Sequence, residues 1–266
     1  MHISLENRHK QKDINMFKHF TKILIFSLLS FIPIMTSAKV YLVSVGISDY
    51  PGDKNDLRLP VNDARTITKI YVKNTDSRCT AELLNEKATK KRIIAAIKQV
   101  YRKAGKDDAV VFYFSGHGSN NRSGLQAYDG ELTYANIREA MAQCQCPNKT
   151  MIVDACYAGN LRSNNSNAEQ KDEESQKANV MLFLSSRGNE TSREVSTWKN
   201  GIFTKYLQEG LRGYADKNKD RIITAKEIFE YVYPNVVKIT NKLQHPVMWG
   251  NFKDDMPVMI WKKKNQ

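Results

Sequence analysis

Four continuous apolar runs stand out along the chain, each rich in Val, Ile, Phe or Tyr. They are Val40–Ile47, Ala109–Phe114, Met151–Val153 and Val180–Leu184. Because apolar residues follow one another in these runs without alternating with polar ones, each run predicts a strand buried on both faces, as in a parallel sheet. Two further strands are predicted over Cys79–Leu84 and Val258–Trp261.

Helical patterns separate the apolar runs. Helices are predicted over Asn62–Val72, Thr89–Lys103, Thr133–Gln143, Phe203–Leu211 and Ala225–Leu243. The first three begin at Asn or Thr, whose side chains accept hydrogen bonds from the amides of a first helical turn. The alternation of strands and helices predicts an α/β domain with helices on both faces of a mostly parallel sheet.

The N-terminal segment carries a targeting pattern. Basic residues precede an apolar stretch, Ile23–Ile34, and small residues follow it up to Ala38. This order is typical of a signal peptide, and the stretch is short for a transmembrane helix. We therefore predict an N-terminal extension and signal peptide over residues 1–38, cleaved near Ala38, and one domain over residues 39–266. The protein is predicted to be secreted or periplasmic, with an uncleaved anchor as the alternative.

Charge and cysteine content argue against two classes of site. The 41 basic and 28 acidic residues give a formal charge of +13, but the two signs are interleaved, which predicts a solvated basic surface rather than a nucleic-acid site. The four cysteines are Cys79, Cys144, Cys146 and Cys156. Downstream of the signal segment only His117 and His245 could join them, so a structural zinc site is not expected.

A histidine and a cysteine follow two of the buried runs. His117 lies in Ser115–Gly118 after one run, and Cys156 lies in Asp154–Gly159 after another. Open α/β sheets place their sites at these carboxyl strand ends, so neighbouring strands would bring the two side chains together. A thiolate that attacks and an imidazole that protonates the leaving amine form the dyad of a cysteine peptidase. His245 lies before a proline and is predicted to have an ordinary turn role.

The motifs YFSGHG around His117 and DACYAG around Cys156 resemble those of the caspase-like peptidases, in particular the bacterial metacaspase-type members. The resemblance implies a caspase-hemoglobinase fold, a Cys/His dyad without an obligatory third member, and an oxyanion hole formed by the backbone of Gly118 and Cys156. Two positions depart from the metacaspase pattern. Tyr157 stands where a histidine is usual, and Pro60 stands where a cysteine is usual.

The resemblance also implies an acidic pocket for the residue before the scissile bond, formed by Asp63, Ser115 and Asp154. Asp154 lies two residues before Cys156, so on an extended strand end it points to the same side as the nucleophile. Two carboxylates would select Lys or Arg through charge-assisted hydrogen bonds. Simpler roles are open for both: Asp63 could favour its helix dipole, and Asp154 could cap its strand end.

These features predict a cysteine endopeptidase that cleaves proteins or peptides after Lys or Arg. Two alternatives stay open. One is a catalytically silent caspase-like domain that binds partners, which the presence of both His117 and Cys156 argues against. The other is an enzyme of the same chemistry with another outcome, such as transpeptidation.

A polar segment over Arg162–Ala178 contains no large apolar side chain, so it is predicted to be a mobile loop. It lies between the nucleophile and the later strands, where related enzymes are often cut, and it contains basic residues that the acidic pocket would accept. We therefore hypothesise self-cleavage within Arg162–Lys177. A passive insertion is the alternative.

One loop matches part of a calcium-binding pattern. The matching residues are Asp216, Asn218, Asp220, Thr224 and Glu227, at positions 1, 3, 5, 9 and 12 of an EF-hand loop. Arg221 replaces the glycine of position 6. Thr224 and Glu227 also have the spacing of a helix capping box, which would explain half of the match without calcium. No other cofactor is expected.

Overall fold

The computed structural model describes residues 38–74, 79–119, 124–156, 180–188, 190, 192, 193, 195 and 197–262. The predicted signal peptide, apart from Ala38, and the polar segment Arg162–Ala178 lie outside the described residues. From Ala38 onward the chain is one structural unit. Within the described ranges, no helix is long and apolar enough to cross a membrane.

A six-stranded sheet runs through the centre of the domain. The strands of the domain are β1 (Val40–Gly46), β2 (Thr80–Leu84), β3 (Ala109–Ser115), β4 (Gly124–Ala127), β5 (Gly130–Thr133), β6 (Asn148–Asp154), β7 (Val180–Leu184), β8 (Ile222–Thr224), β9 (Val247–Trp249) and β10 (Pro257–Ile260). The central sheet has the order β2-β1-β3-β6-β7-β9. Its first five strands are parallel and β9 is antiparallel to β7, so the predicted mostly parallel sheet is confirmed.

Five α-helices of the described part of the chain surround this sheet. They are α1 (Pro60–Asn74), α2 (Lys90–Tyr101), α3 (Tyr134–Ala142), α4 (Ile202–Glu209) and α5 (Ala225–Ile239). Thr89 and Thr133 cap α2 and α3 as predicted. The start predicted for α1 is wrong, because the helix begins at Pro60 rather than after Asn62. Proline suits a first helical position, where its fixed φ is helical and its missing N–H is not needed.

Each face of the sheet is covered by its own apolar core. Helices α2 and α3 pack on one face, against side chains such as Phe112 and Phe114, and α1, α4 and α5 pack on the other, against Leu42 and Val111. All four of these strand residues are fully buried, and burying such a side chain contributes about 1.5–3 kcal/mol each. The continuous apolar runs are therefore explained by a sheet that is covered on both sides.

The short strands β4, β5, β8 and β9 lie outside the sequence prediction. β4 and β5 form a hairpin after the His117 loop, and β8 pairs with β10 in a separate two-stranded sheet. The predicted terminal strand is thus present, but it does not join the central sheet. These strands have three or four residues each, which is too short for periodicity to reveal them.

Candidate active site

The His117 and Cys156 loops leave the central sheet side by side. Their strands, β3 and β6, pair in register up to Ser115 and Asp154, and the Gly116 amide donates to the Asp154 carbonyl at 3.2 Å. A Cβ added to Gly118 would lie 2.8 Å from the Cys156 carbonyl oxygen, so the two loops approach closely because position 118 has no side chain. The structure therefore brings the two loops together as the strand pattern predicts.

The ring of His117 is oriented by a backbone carbonyl. Its Nε2 lies 2.8 Å from the carbonyl oxygen of Asn55. A carbonyl can only accept, so Nε2 carries the hydrogen and Nδ1 keeps the lone pair in the neutral ring. Asn55 ends a short 3₁₀ turn, Asp53–Asn55, that precedes α1. Sequence reasoning missed this contact because any residue type supplies a backbone carbonyl.

The Tyr50 side chain also holds the His117 loop in place. Its hydroxyl accepts from the His117 amide at 2.9 Å and donates to the Gln126 carbonyl at 3.2 Å. The Tyr50 and His117 rings lie 4.9 Å apart. Burial raises the pKa of Tyr50, so its hydroxyl keeps the proton with which it donates. Tyr50 therefore fixes both the backbone and the ring of His117.

Cys156 lines a cavity of about 340 Å³ together with His117, Asp63, Ser115 and Asp154. Cys156 is half-buried. The residue before it is held through the Ser185 hydroxyl, which lies 3.3 Å from the Ala155 amide and 3.2 Å from the Ala155 carbonyl oxygen. Cys156 thus lines the same cavity as all three residues predicted for substrate binding.

Asp63 is buried at the base of this cavity, with 2% of its surface exposed. It accepts hydrogen bonds from the Ser115 hydroxyl at 3.0 Å, the Asn200 side-chain amide at 2.8 Å and the Gly201 amide at 3.2 Å. Burial raises the pKa of Asp63 well above its usual range, and the Asp154 carboxylate raises it further. Asp63 does lie in the first turn of α1, but its partners come from β3 and from the residues before α4.

Asp154 is buried beside it, with 6% of its surface exposed. It accepts from the Ser192 hydroxyl at 2.5 Å and from Thr204, through the hydroxyl at 2.7 Å and the amide at 3.3 Å. Burial raises the pKa of Asp154, and these bonds oppose the rise. Neither Ser192 nor Thr204 was predicted to contact Asp154, because both are far from it along the chain.

The loop that carries Ser192 is held by two residues of another loop. Gln244 is fully buried; its side-chain amide donates to the Ser185 carbonyl at 2.9 Å, and its side-chain oxygen accepts from the Arg193 amide at 3.0 Å. His245 Nδ1 lies 2.8 Å from a Glu190 oxygen, and each side chain is 15% exposed. His245 thus lies in irregular backbone between α5 and β9, where it makes a partly buried hydrogen-bonded contact with Glu190.

The candidate calcium loop is built on hydrogen bonds to its own backbone. Thr224 and Glu227 form the predicted capping box at the start of α5. Asp216 accepts from the Arg221 amide at 3.1 Å, and Glu227 accepts from the Lys217 amide at 3.2 Å. No group of three or more His, Cys, Asp or Glu suited to a metal ion occurs among the described residues. A plain helix start stays the prediction for this loop, and calcium binding at Asp216, Asn218, Asp220 and Glu227 stays its alternative.

The other three cysteines are buried, away from this cavity. Cys79 and Cys144 are each 4% exposed, and Cys146 is fully buried. The Cys146 amide lies 3.3 Å from Cys144 Sγ, and hydrogen bonding by Cys146 lowers the pKa of Cys144 to about 6. All three belong to the apolar core on the α2 and α3 side of the sheet.

A mostly parallel α/β sheet that presents a histidine and a cysteine together at one edge has the architecture of a caspase-type domain. The family model for the caspase domain matches residues 40–256, and the chain belongs to that family. A search of curated proteins found no match. The predicted caspase-like fold is thus confirmed, and membership of this family indicates a cysteine peptidase type of domain.

Two solved structures show the same fold. Protein GSU0716 from Geobacter sulfurreducens is 16% identical with a TM-score of 0.59, over 85% of this chain and 100% of its own. Caspase-1 from Spodoptera frugiperda is 15% identical with a TM-score of 0.59, over 86% of this chain and 92% of its own. At these identities the likeness concerns the fold alone.

Proposed function

We propose that this protein is a secreted or periplasmic cysteine endopeptidase that cleaves peptides after Lys or Arg. The observation that carries the proposal is the cavity in which Cys156 and His117 share space with two buried carboxylates, Asp63 and Asp154. We call the part of the cavity lined by Asp63 and Asp154 the acidic recess. A nucleophile beside this recess suits a substrate whose basic side chain enters it while the substrate carbonyl carbon meets the thiolate.

The proposed chemistry assigns the dyad two proton transfers. His117 Nδ1 takes the proton of the Cys156 thiol, and the thiolate attacks the substrate carbonyl carbon. Backbone N–H groups of Gly118 and Cys156 are proposed to stabilise the oxyanion. The imidazolium then protonates the leaving amine as the C–N bond breaks, and water hydrolyses the remaining thioester. The Asn55 carbonyl stabilises the imidazolium by accepting from Nε2 throughout.

The proposed specificity follows from the charges that face the recess. The hydrogen bonds described above for Asp63 and Asp154 come from neutral donors, namely hydroxyls, backbone amides and one side-chain amide. Arg58 and Arg193 also line the cavity. A substrate ammonium or guanidinium would supply the positive charge, and each charge-assisted bond is worth about 1.5–3 kcal/mol. Binding would also lower the raised pKa values of both carboxyls, because a nearby cation favours the ionised form.

The test is a cleavage profile of the purified protein against a library of peptides that vary at the residue before the scissile bond. We expect cleavage after Arg and Lys, no turnover with Cys156→Ala, and at least about a 100-fold loss with His117→Ala, since general acid–base catalysis is worth that much or more. Circular dichroism checks that both variants keep the fold. An inert wild type would favour a binding domain, and a preference for acidic or apolar residues would refute the pocket.

Export predicts that the mature protein begins near Lys39, which N-terminal sequencing measures.

A further inference from the structure

Gly201 lies between the two buried carboxylates. It immediately precedes α4 and lines the same cavity as Cys156. A Cβ built on Gly201 would lie 3.0 Å from Asp154 Oδ2 and 3.5 Å from Asp63 Oδ2. The three heavy atoms nearest to that position all belong to these two acids. The space above the Gly201 Cα is therefore the point at which the two carboxylates converge.

The backbone at this position does not require glycine. Gly201 has φ −56° and ψ 153°, which any L-residue adopts. Its amide donates to Asp63 Oδ1 at 3.2 Å, and any residue except proline could do the same. Glycine is thus distinguished here only by the absence of a side chain, and that absence keeps the space between the carboxylates open.

The open position lies beside two carboxylates that can both accept hydrogen bonds from a cation. Charge-assisted N–H···O bonds to carboxylates have donor–acceptor distances of about 2.7–2.9 Å. The vacant Cβ position lies 3.0 and 3.5 Å from the two carboxylate oxygens, but it is only one covalent bond length from the Gly201 Cα. A substrate nitrogen would therefore lie farther out along the same direction, in the space that a side chain at this position would fill.

We propose that Gly201 determines specificity, because its missing side chain leaves the space in which the cationic head of the substrate binds. This inference rests on the proposed function. Gly201→Ala would place a methyl group between the carboxylates, excluding the cation without contacting either member of the dyad. The variant should therefore lose recognition of basic residues while its nucleophile stays reactive.

The first experiment compares wild type, Gly201→Ala and the control Gly105→Ala, whose added Cβ would meet its nearest neighbour at an ordinary 3.7 Å. We expect kcat/KM for Arg and Lys substrates to fall about 100-fold or more in Gly201→Ala alone. The rate at which iodoacetamide, a small uncharged reagent, alkylates Cys156 should be unchanged in both variants. Equal cleavage by Gly201→Ala and wild type would overturn the inference, whereas an inert wild type would instead refute the proposed function.

A second experiment does not depend on the stability of a variant. Gly201 is the one glycine in the sequence that follows an asparagine. Labelling asparagine carbonyls with ¹³C and glycine amides with ¹⁵N therefore leaves a single cross-peak, from the Asn200–Gly201 pair, in a carbonyl-filtered spectrum. Methylguanidine should shift this peak saturably, and methylurea, which is similar in shape but uncharged, should not. An unmoved peak, or an equal response to both compounds, would overturn the inference.

Discussion

Asp63 and Asp154 are two acids buried side by side, a costly arrangement for a folded protein. Burial raises both pKa values, and for Asp63 the neighbouring carboxylate raises it further. A group whose pKa is raised on folding stabilises the fold while it is protonated. That contribution is complete below the unfolded carboxyl pKa of about 3.9 and is lost as the pH rises through the raised pKa of the folded state. Ionisation of these two buried carboxyls therefore lowers the free energy of unfolding at neutral pH.

This cost predicts the behaviour of Asp154→Asn. An asparagine can accept from Thr204 through its oxygen and donate to the Ser192 hydroxyl through its nitrogen, so the contacts of the site survive. We expect the free energy of unfolding at pH 7–8 to rise by about 1–2 kcal/mol, because a penalised buried charge is removed. Cleavage after Arg should fall at least about 10-fold.

Thermal unfolding at several pH values tests this prediction. The stability difference between Asp154→Asn and wild type should shrink towards zero as the pH falls below about 3.9, where the aspartate is neutral in both states. Asp63→Asn offers a matched comparison at the partner carboxylate. A variant that is less stable than wild type at every pH would contradict the argument.

Among single residues, the sequence predicted those that lie at the end of a strand or just after it. His117, Cys156, Ser115 and Asp154 lie next to buried apolar runs, so their convergence follows from strand order. The Asn55 carbonyl that orients the histidine could not be predicted, because every residue type has a backbone carbonyl and no side chain marks the position. Ser192, Thr204 and Gly201 were also missed, since they reach the recess from elements whose placement on the sheet the sequence does not fix.

At the level of elements, the loop that carries Ser192 and Arg193 is held in place by contacts with the loop that carries Gln244 and His245. Gln244 bonds to both the end of β7 and this loop. Glu190 accepts from the His245 amide at 2.7 Å as well as from its ring. Although burial raises the pKa of Glu190, these hydrogen bonds lower it below its usual value overall. The two contacts position the Ser192 hydroxyl that holds Asp154.

Gln244→Leu should therefore impair substrate binding more than catalysis. Leucine keeps much of the volume but removes the side-chain hydrogen bonds to Ser185, Arg193 and Ser192, which leaves the Ser192 loop less well fixed. We expect KM for an Arg substrate to rise about 5- to 10-fold, with a smaller change in kcat and an unchanged rate of Cys156 alkylation. Gln244→Glu is the comparison, because it keeps the acceptor for Arg193 and loses only the donor. Equal KM values in Gln244→Leu and wild type would show that Gln244 has no positioning role.

The elements that the sequence predicted well are the long ones. β1, β3 and β7 and the capped helices α2 and α3 match their patterns because burial and capping act on adjacent residues. The hairpin β4–β5, the strand β9 and the pairing of β8 with β10 depend on contacts between distant segments. Such short strands form because the rest of the fold presents a partner, and no local pattern marks them.

For the whole molecule, the important connection is the one between β6 and β7. The two strands are adjacent and pair in parallel from Lys149–Val180 to Val153–Leu184. The polar segment Arg162–Ala178 joins them in sequence, outside the described residues. A cut in this segment would leave both strands hydrogen-bonded and buried within one sheet, so the two fragments are expected to stay together.

We predict that the purified protein cuts itself within Arg162–Lys177. The residues there match the specificity proposed for the recess, and polar segments of this kind are frequent sites of nicking. Mass spectrometry should find two fragments in wild type and an intact chain in Cys156→Ala. Under native conditions the fragments should elute together on gel filtration and separate only in denaturant. An active wild type that stays whole would remove self-cleavage without affecting the dyad.

Finally, the distribution of cysteines means that the native protein contains one accessible thiol and three that are hidden. Cys79, Cys144 and Cys146 lie in the core, and Cys156 alone is half-exposed. Hydrogen bonding by Cys146 lowers the pKa of Cys144, but the burial of Cys144 restricts access by a reagent. Alkylation should therefore stop at one label per native molecule and reach four only when the core opens. The first label counts competent active sites, and the arrival of the other three reports the rate of global unfolding.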